Sequence, residues 1–64
     1  KVIEIVGSSS ESWEKAAAAA VKRASKTIRD LRVAEVLQMD MALKDGKIEA
    51  YRVKMSVSFK FEGK

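Results

Sequence analysis

Sixty-four residues fit one small domain, which excludes an enzyme with separate cofactor and substrate modules. The apolar fraction is 47%, but nine of those residues are alanine, so the core is thin; with no Cys and no His the chain also lacks disulfides, thiolate chemistry, histidine acid-base catalysis and ordinary zinc sites. Thirteen Lys and Arg against nine Asp and Glu give a net charge of +4 without a block of like charges or aromatics interleaved with basic residues, the pattern of a solvated surface rather than a nucleic-acid face.

The pattern reads strand, helix, strand, strand, an α+β arrangement spanning 1–64 as a single domain. Lys1 to Val6 predicts a first strand, β-branched, with Ile3 and Ile5 on one face, Val2 and Val6 on the other, and both faces partly covered. Gly7 with Ser8, Ser9 and Ser10 reads as a stop-and-cap segment, with Ser8 or Ser9 as the N-cap of the helix that follows. From about Ser10 to Asp30, Trp13, Ala17, Ala20, Val21, Ala24, Ile28 and Leu31 draw one stripe down a helix roughly 30 Å long. An alanine-rich stripe implies a backbone lying close to its support.

Period-two alternation then takes over: Leu37, Met39, Met41, Leu43, then Tyr51, Val53, Met55, Val57, Phe59 and Phe61. Asp45-Gly46 marks a hairpin, since both residues accept positive φ. A strict two-residue loop sets Met39 opposite Arg52 and mixes apolar with polar faces. A register displaced by one residue, through a three-residue loop or a bulge, instead pairs Met41 with Tyr51, Met39 with Val53 and Leu37 with Met55. It also places Asp40 opposite Arg52 on the other face. Such a ribbon is longer than the helix that covers it, and its exposed apolar surface predicts burial against identical copies.

No residue set supports catalysis. Ser12 to Lys15 matches Ser-x-x-Lys only as a string, and capping accounts for both residues. Gly7 to Ser10 lacks the lysine spacing of a phosphate loop and the three-glycine dinucleotide fingerprint. No apolar run reaches the length of a membrane span and no signal segment is present, so the expectation is a cytoplasmic protein with neither nucleic-acid nor membrane partners.

Val-Ile-Glu-Ile-Val-Gly-Ser-Ser at the start, Thr27-Ile28-Arg29-Asp30-Leu31 at the helix end, Ala34-Glu35-Val36, Tyr51-Arg52-Val53 and Val57-Ser58-Phe59 together resemble the dodecins. The resemblance covers nearly the whole chain. It implies a β-α-β-β fold in which a three-stranded antiparallel sheet wraps one helix, and a hollow homododecamer. For most members it further implies storage of flavin (riboflavin or FMN), with paired rings stacked between symmetry-related tryptophans and a glutamine at the ring edge. Aligned on these motifs, Val33 stands where the stacking tryptophan would be and Arg52 where the glutamine would be. Valine offers no aromatic face, and arginine donates hydrogen bonds but cannot accept them.

The single tryptophan, Trp13, reads as a core or interface anchor. A Ser-Trp-Glu helix start with Arg-Val-Ala after the helix is similar to a dodecin subgroup associated with calcium rather than flavin. Calcium requires several oxygen ligands, and with no EF-hand loop in the chain a site would be assembled across subunits from Glu4, Glu14, Glu35 or Asp40. For Asp40 the competing reading is an ion pair with Arg52. The sequence therefore points to a non-enzymatic homo-oligomeric shell holding a small ligand or ion, calcium first. A flavin store, or a scaffold for anions or a phosphorylated cofactor, is the alternative.

Overall fold

The structure, a computed structural model, describes residues 2–59; Lys1 and the expected Phe61 position lie outside that range. Its elements are β1 (Val2–Ser9), α1 (Trp13–Ala24), β2 (Leu31–Lys44) and β3 (Lys47–Phe59). All three strands form one antiparallel sheet in the order β1-β3-β2, so the last strand is central and the α+β, β-α-β-β expectation holds.

The first strand runs three residues past Val6, because Gly7, Ser8 and Ser9 pair with Val53, Arg52 and Tyr51 instead of leaving the sheet. Gly7 stays in the strand for a steric reason. A Cβ at this position would lie 2.2 Å from the Ala16 carbonyl oxygen and 2.8 Å from the Ala20 Cβ, so a missing side chain lets α1 lie almost on the backbone of β1. Ser12, not Ser8 or Ser9, is the N-cap: its extended backbone turns its Oγ to accept from the Lys15 amide at 3.0 Å. A cap of this kind contributes about 1 kcal/mol. Ser9 accepts instead from the Glu11 amide at 2.9 Å, within the turn that leads to the cap.

The α-helix also stops early, at Ala24. Ser25 Oγ donates to the Lys22 carbonyl, the Lys26 and Thr27 amides fall back on carbonyls three residues earlier, and Asp30 takes φ 57° to feed β2. Ser25, Thr27 and Ile28 hold a helix poorly, yet Ile28 and Leu31 keep facing inward, which is why the apolar spacing outlasts the helix. Helix α1 is thus twelve residues, about 18 Å, under strands of fourteen and thirteen.

Ala16, Ala20, Val53, Met55 and Val57 are buried, and Ile3, Ile5, Trp13, Ala17, Val21 and Leu31 pack around them. Ala16 was absent from the expected stripe; it is the residue whose carbonyl meets Gly7. The helix covers β1 and β3 but leaves most of β2 open, so Val36, Met39 and Met41 remain about half exposed. Val2 and Val6 on the opposite face are exposed as well, against the expectation that both faces of β1 are covered. The chain is 51 Å long with a radius of gyration of 13.3 Å, against about 11 Å for a compact domain of this length. The ribbon overhangs its helix, as its length requires.

Candidate functional site

The β2-β3 hairpin turns through Asp45 and Gly46, both at positive φ, with Lys44 opposite Lys47. Three bulges then displace its register. Glu49 is the extra residue on β3; Leu37 and Arg32 are extra on β2. Between Glu49 and Leu37 the pairs are Ala42–Ala50, Met41–Tyr51, Asp40–Arg52, Met39–Val53 and Gln38–Lys54, the displaced register that the apolar pattern demands. Beyond Leu37 that register is lost, and Met55 faces Val36 rather than Leu37.

Because residues directly opposite share a face, the sheet side away from α1 carries Glu4, Val6 and Ser8 from β1, Arg52, Lys54 and Ser56 from β3, and Val33, Glu35, Gln38 and Asp40 from β2. On this outer face Arg52 Nε and Nη2 donate to the two Asp40 carboxylate oxygens, each at 2.7 Å, a bidentate pair. With Val6, Gln38 and Lys54 the pair lines a shallow depression of about 210 Å³. Lys54 Nζ lies 3.6 Å from Glu4, so the two cations nearest the depression both face carboxylates. Such neutralisation disfavours a simple anion site.

Trp13 is half-buried on the other side. Its ring meets Tyr51 edge-to-face at 5.0 Å between centroids, and its Nε1–H donates to the Asp40 carbonyl at 3.0 Å. The anchor reading of Trp13 is thereby met within the chain, though the sequence argument missed its acceptor. A buried indole requires a hydrogen-bond partner, and that requirement was the available signal.

The two positions of the family's flavin site are not brought together. Val33 lies opposite Ser58 and Arg52 opposite Asp40, six positions apart along β3 or roughly 20 Å, so one ligand could touch both only with a second copy present. Val33 is 61% exposed and no aromatic ring stands on its face of the sheet among the described residues.

Of the four candidate metal ligands, Glu4 and Glu35 flank Ser56 in register on the outer face, roughly 10 Å apart at the backbone. Asp40 is engaged by Arg52, and Glu14 sits exposed in the first turn of α1, away from the other three. No group of three or more potential metal-binding side chains converges within one chain among the described residues.

The hydrogen bonds from Arg52 hold the Asp40 carboxyl below its ordinary value of 3.8, against a smaller opposing effect of desolvation. A depressed folded-state pKa stabilises the fold above the ordinary carboxyl value, and that contribution disappears as pH falls through the depressed one. Denaturation of wild type and Asp40→Asn should therefore differ by a constant amount above about pH 5 and converge in acid. A difference that persists unchanged at low pH would show that the pair is not its source.

No helix among the described residues is long and apolar enough to cross a membrane. The dodecin family model matches residues 1–62. The calcium dodecin of Mycobacterium tuberculosis is 52% identical over 60 residues, covering 94% of this chain and 84% of its own. A crystal structure described as the calcium-chelating immunodominant antigen, calcium dodecin, of that organism, with a novel calcium-binding site, superposes with a TM-score of 0.86 at 53% identity, covering 98% of this chain and 90% of that one. Dodecin from Streptomyces coelicolor gives a TM-score of 0.94 at 34% identity, covering 100% and 91%. With its strand order, its helix seated on Gly7 and a match along nearly its whole length, the chain belongs to the dodecin family.

Proposed function

We propose that this dodecin is a non-catalytic homo-oligomeric shell, a dodecamer, that binds or stores calcium in preference to flavin. The observation that carries the reading is the outer sheet face, where the Val33 position offers no ring to a flavin while Glu4 and Glu35 flank the Ser56 hydroxyl. Calcium takes six to eight oxygens, so two carboxylates and a hydroxyl from one chain supply part of a shell that copies around a symmetry axis would complete. Asp40 is the weaker ligand candidate, since Arg52 holds both of its oxygens at 2.7 Å, whereas Glu4 meets Lys54 through a single looser contact at 3.6 Å. The 52% identity to a protein named calcium dodecin supports the same choice. The extended shape and the exposed Val36, Met39, Met41 and Leu43 support assembly, because so few buried residues leave a lone chain under-stabilised.

Sedimentation should give a particle near 85 kDa, twelve times 7.1 kDa. Calorimetric titration should show calcium binding that magnesium does not reproduce, and Glu4→Gln with Glu35→Gln should abolish it while the particle mass stays the same. A folded monomer at micromolar concentration would sink the assembly; undiminished calcium binding by the double variant would remove these two ligands.

A further inference from the structure

We propose that residues 38–42 form a two-register element whose observed register is locked by Trp13 and Arg52 acting on opposite sides of Asp40. The bulges at Leu37 on β2 and Glu49 on β3 compensate each other one for one, so the pairing sum is the same on both sides of the window and differs by one inside it. If both bulges closed, the ladder would run unbroken from Lys44–Lys47 to Val33–Ser58, with Met41 opposite Ala50, Met39 opposite Arg52 and Asp40 opposite Tyr51. A bulge disrupts the ladder locally, so backbone hydrogen bonding favours that continuous alternative. Within a single chain side-chain burial resists it only partly, since Met39 and Met41 are 51% and 42% exposed in the register they occupy. The specific contacts that resist it are the bidentate Arg52 clamp on the Asp40 carboxylate and the Trp13 indole bond to the Asp40 carbonyl, and a one-residue slip breaks the geometry of both. A slip also exchanges faces: Gln38 and Asp40 turn toward the helix side, while Met39 and Met41 turn to the outer face. The lock thus decides which chemistry this part of the sheet presents to whatever lies against it.

The chain has no cysteine, so engineered disulfides read the register cleanly. Ala42→Cys with Ala50→Cys reports the observed register; Met41→Cys with Ala50→Cys places its thiols on opposite faces there and on one face only after slipping. With Trp13 and Asp40 intact, the second pair should oxidise within the chain at least about tenfold more slowly than the first. Adding Trp13→Phe, which keeps the ring but removes the donor, together with Asp40→Asn should bring the two rates to within about threefold. A slipped pair that stays slow while the native pair still closes would overturn the lock, as would a slipped pair that closes quickly with the lock intact. If the released double variant does not fold, each single substitution should still accelerate the slipped pair. No acceleration in either overturns the proposal.

Discussion

Gly7→Ala is expected to destabilise the protein by at least about 3 kcal/mol, the upper end of what overpacking by one methyl usually costs. The added Cβ would sit 2.2 Å from the Ala16 carbonyl oxygen, and a helix carbonyl cannot rotate aside as a side chain can. Relief requires lifting α1 off β1, which opens the contact of Ala16 and Ala20 with the sheet. At roughly 4–8 °C per kcal/mol for a domain of this size, melting should fall by more than about 12 °C, with wild type and variant compared at one concentration. Gly46→Ala is the matching control. Nothing lies within 4 Å of its added Cβ and only its φ of +75° is offended, so the expected loss is about 1 kcal/mol. Equal melting shifts for the two would show that helix and strand are not in close contact at Gly7.

Val33→Trp combined with Arg52→Gln is expected to raise riboflavin affinity at least about tenfold over the unaltered chain, tenfold being 1.4 kcal/mol. Val33 is exposed, so an indole there has room, and in a symmetric shell Val33→Trp would place a stacking face on every copy. Arg52 in the unaltered chain is held by Asp40 and cannot accept a hydrogen bond, whereas glutamine both donates and accepts. Quenching of riboflavin emission measures both proteins. Tight quenching by the unaltered chain would mean that a different aromatic, Trp13 or Tyr51, serves the ligand.

The fold was legible wherever side-chain period decided it. Alternation through Met39, Met41, Tyr51 and Val53, with Asp-Gly between, fixed a hairpin and correctly set Asp40 against Arg52, because a one-residue error would have put charge among apolar neighbours. Legibility ended where the backbone departed from period. Bulges at Leu37 and Glu49 leave no mark in composition, so the register was right over Asp40 and wrong at Leu37. Gly7 and the serines carry the composition of a turn, yet three of these residues stay in β1 because a helix of small residues needs a side-chain-free strip to lie on. Ile28 and Leu31 kept a helical spacing after the helix had ended, since apolar spacing registers which residues face inward and not how the backbone gets them there. The candidate carboxylates could be named from the sequence, but the alignment of Glu4 and Glu35 on either side of Ser56 depends on β3 lying between β1 and β2, a strand order that no local pattern encodes.

A chain 51 Å long and 13 Å thick, with five buried apolar side chains among the described residues, also constrains how the protein reaches its native state. Secondary structure can form in a single copy, but nine large apolar residues among those described stay 42–63% exposed in it, so in the proposed assembly the rate-limiting encounter in refolding becomes a collision between chains. Renaturation should then follow second- or higher-order kinetics, slowing on dilution. Expression at low copy number would leave Val36, Met39 and Leu43 open to chaperones and proteases for longer than in a domain that completes its core alone.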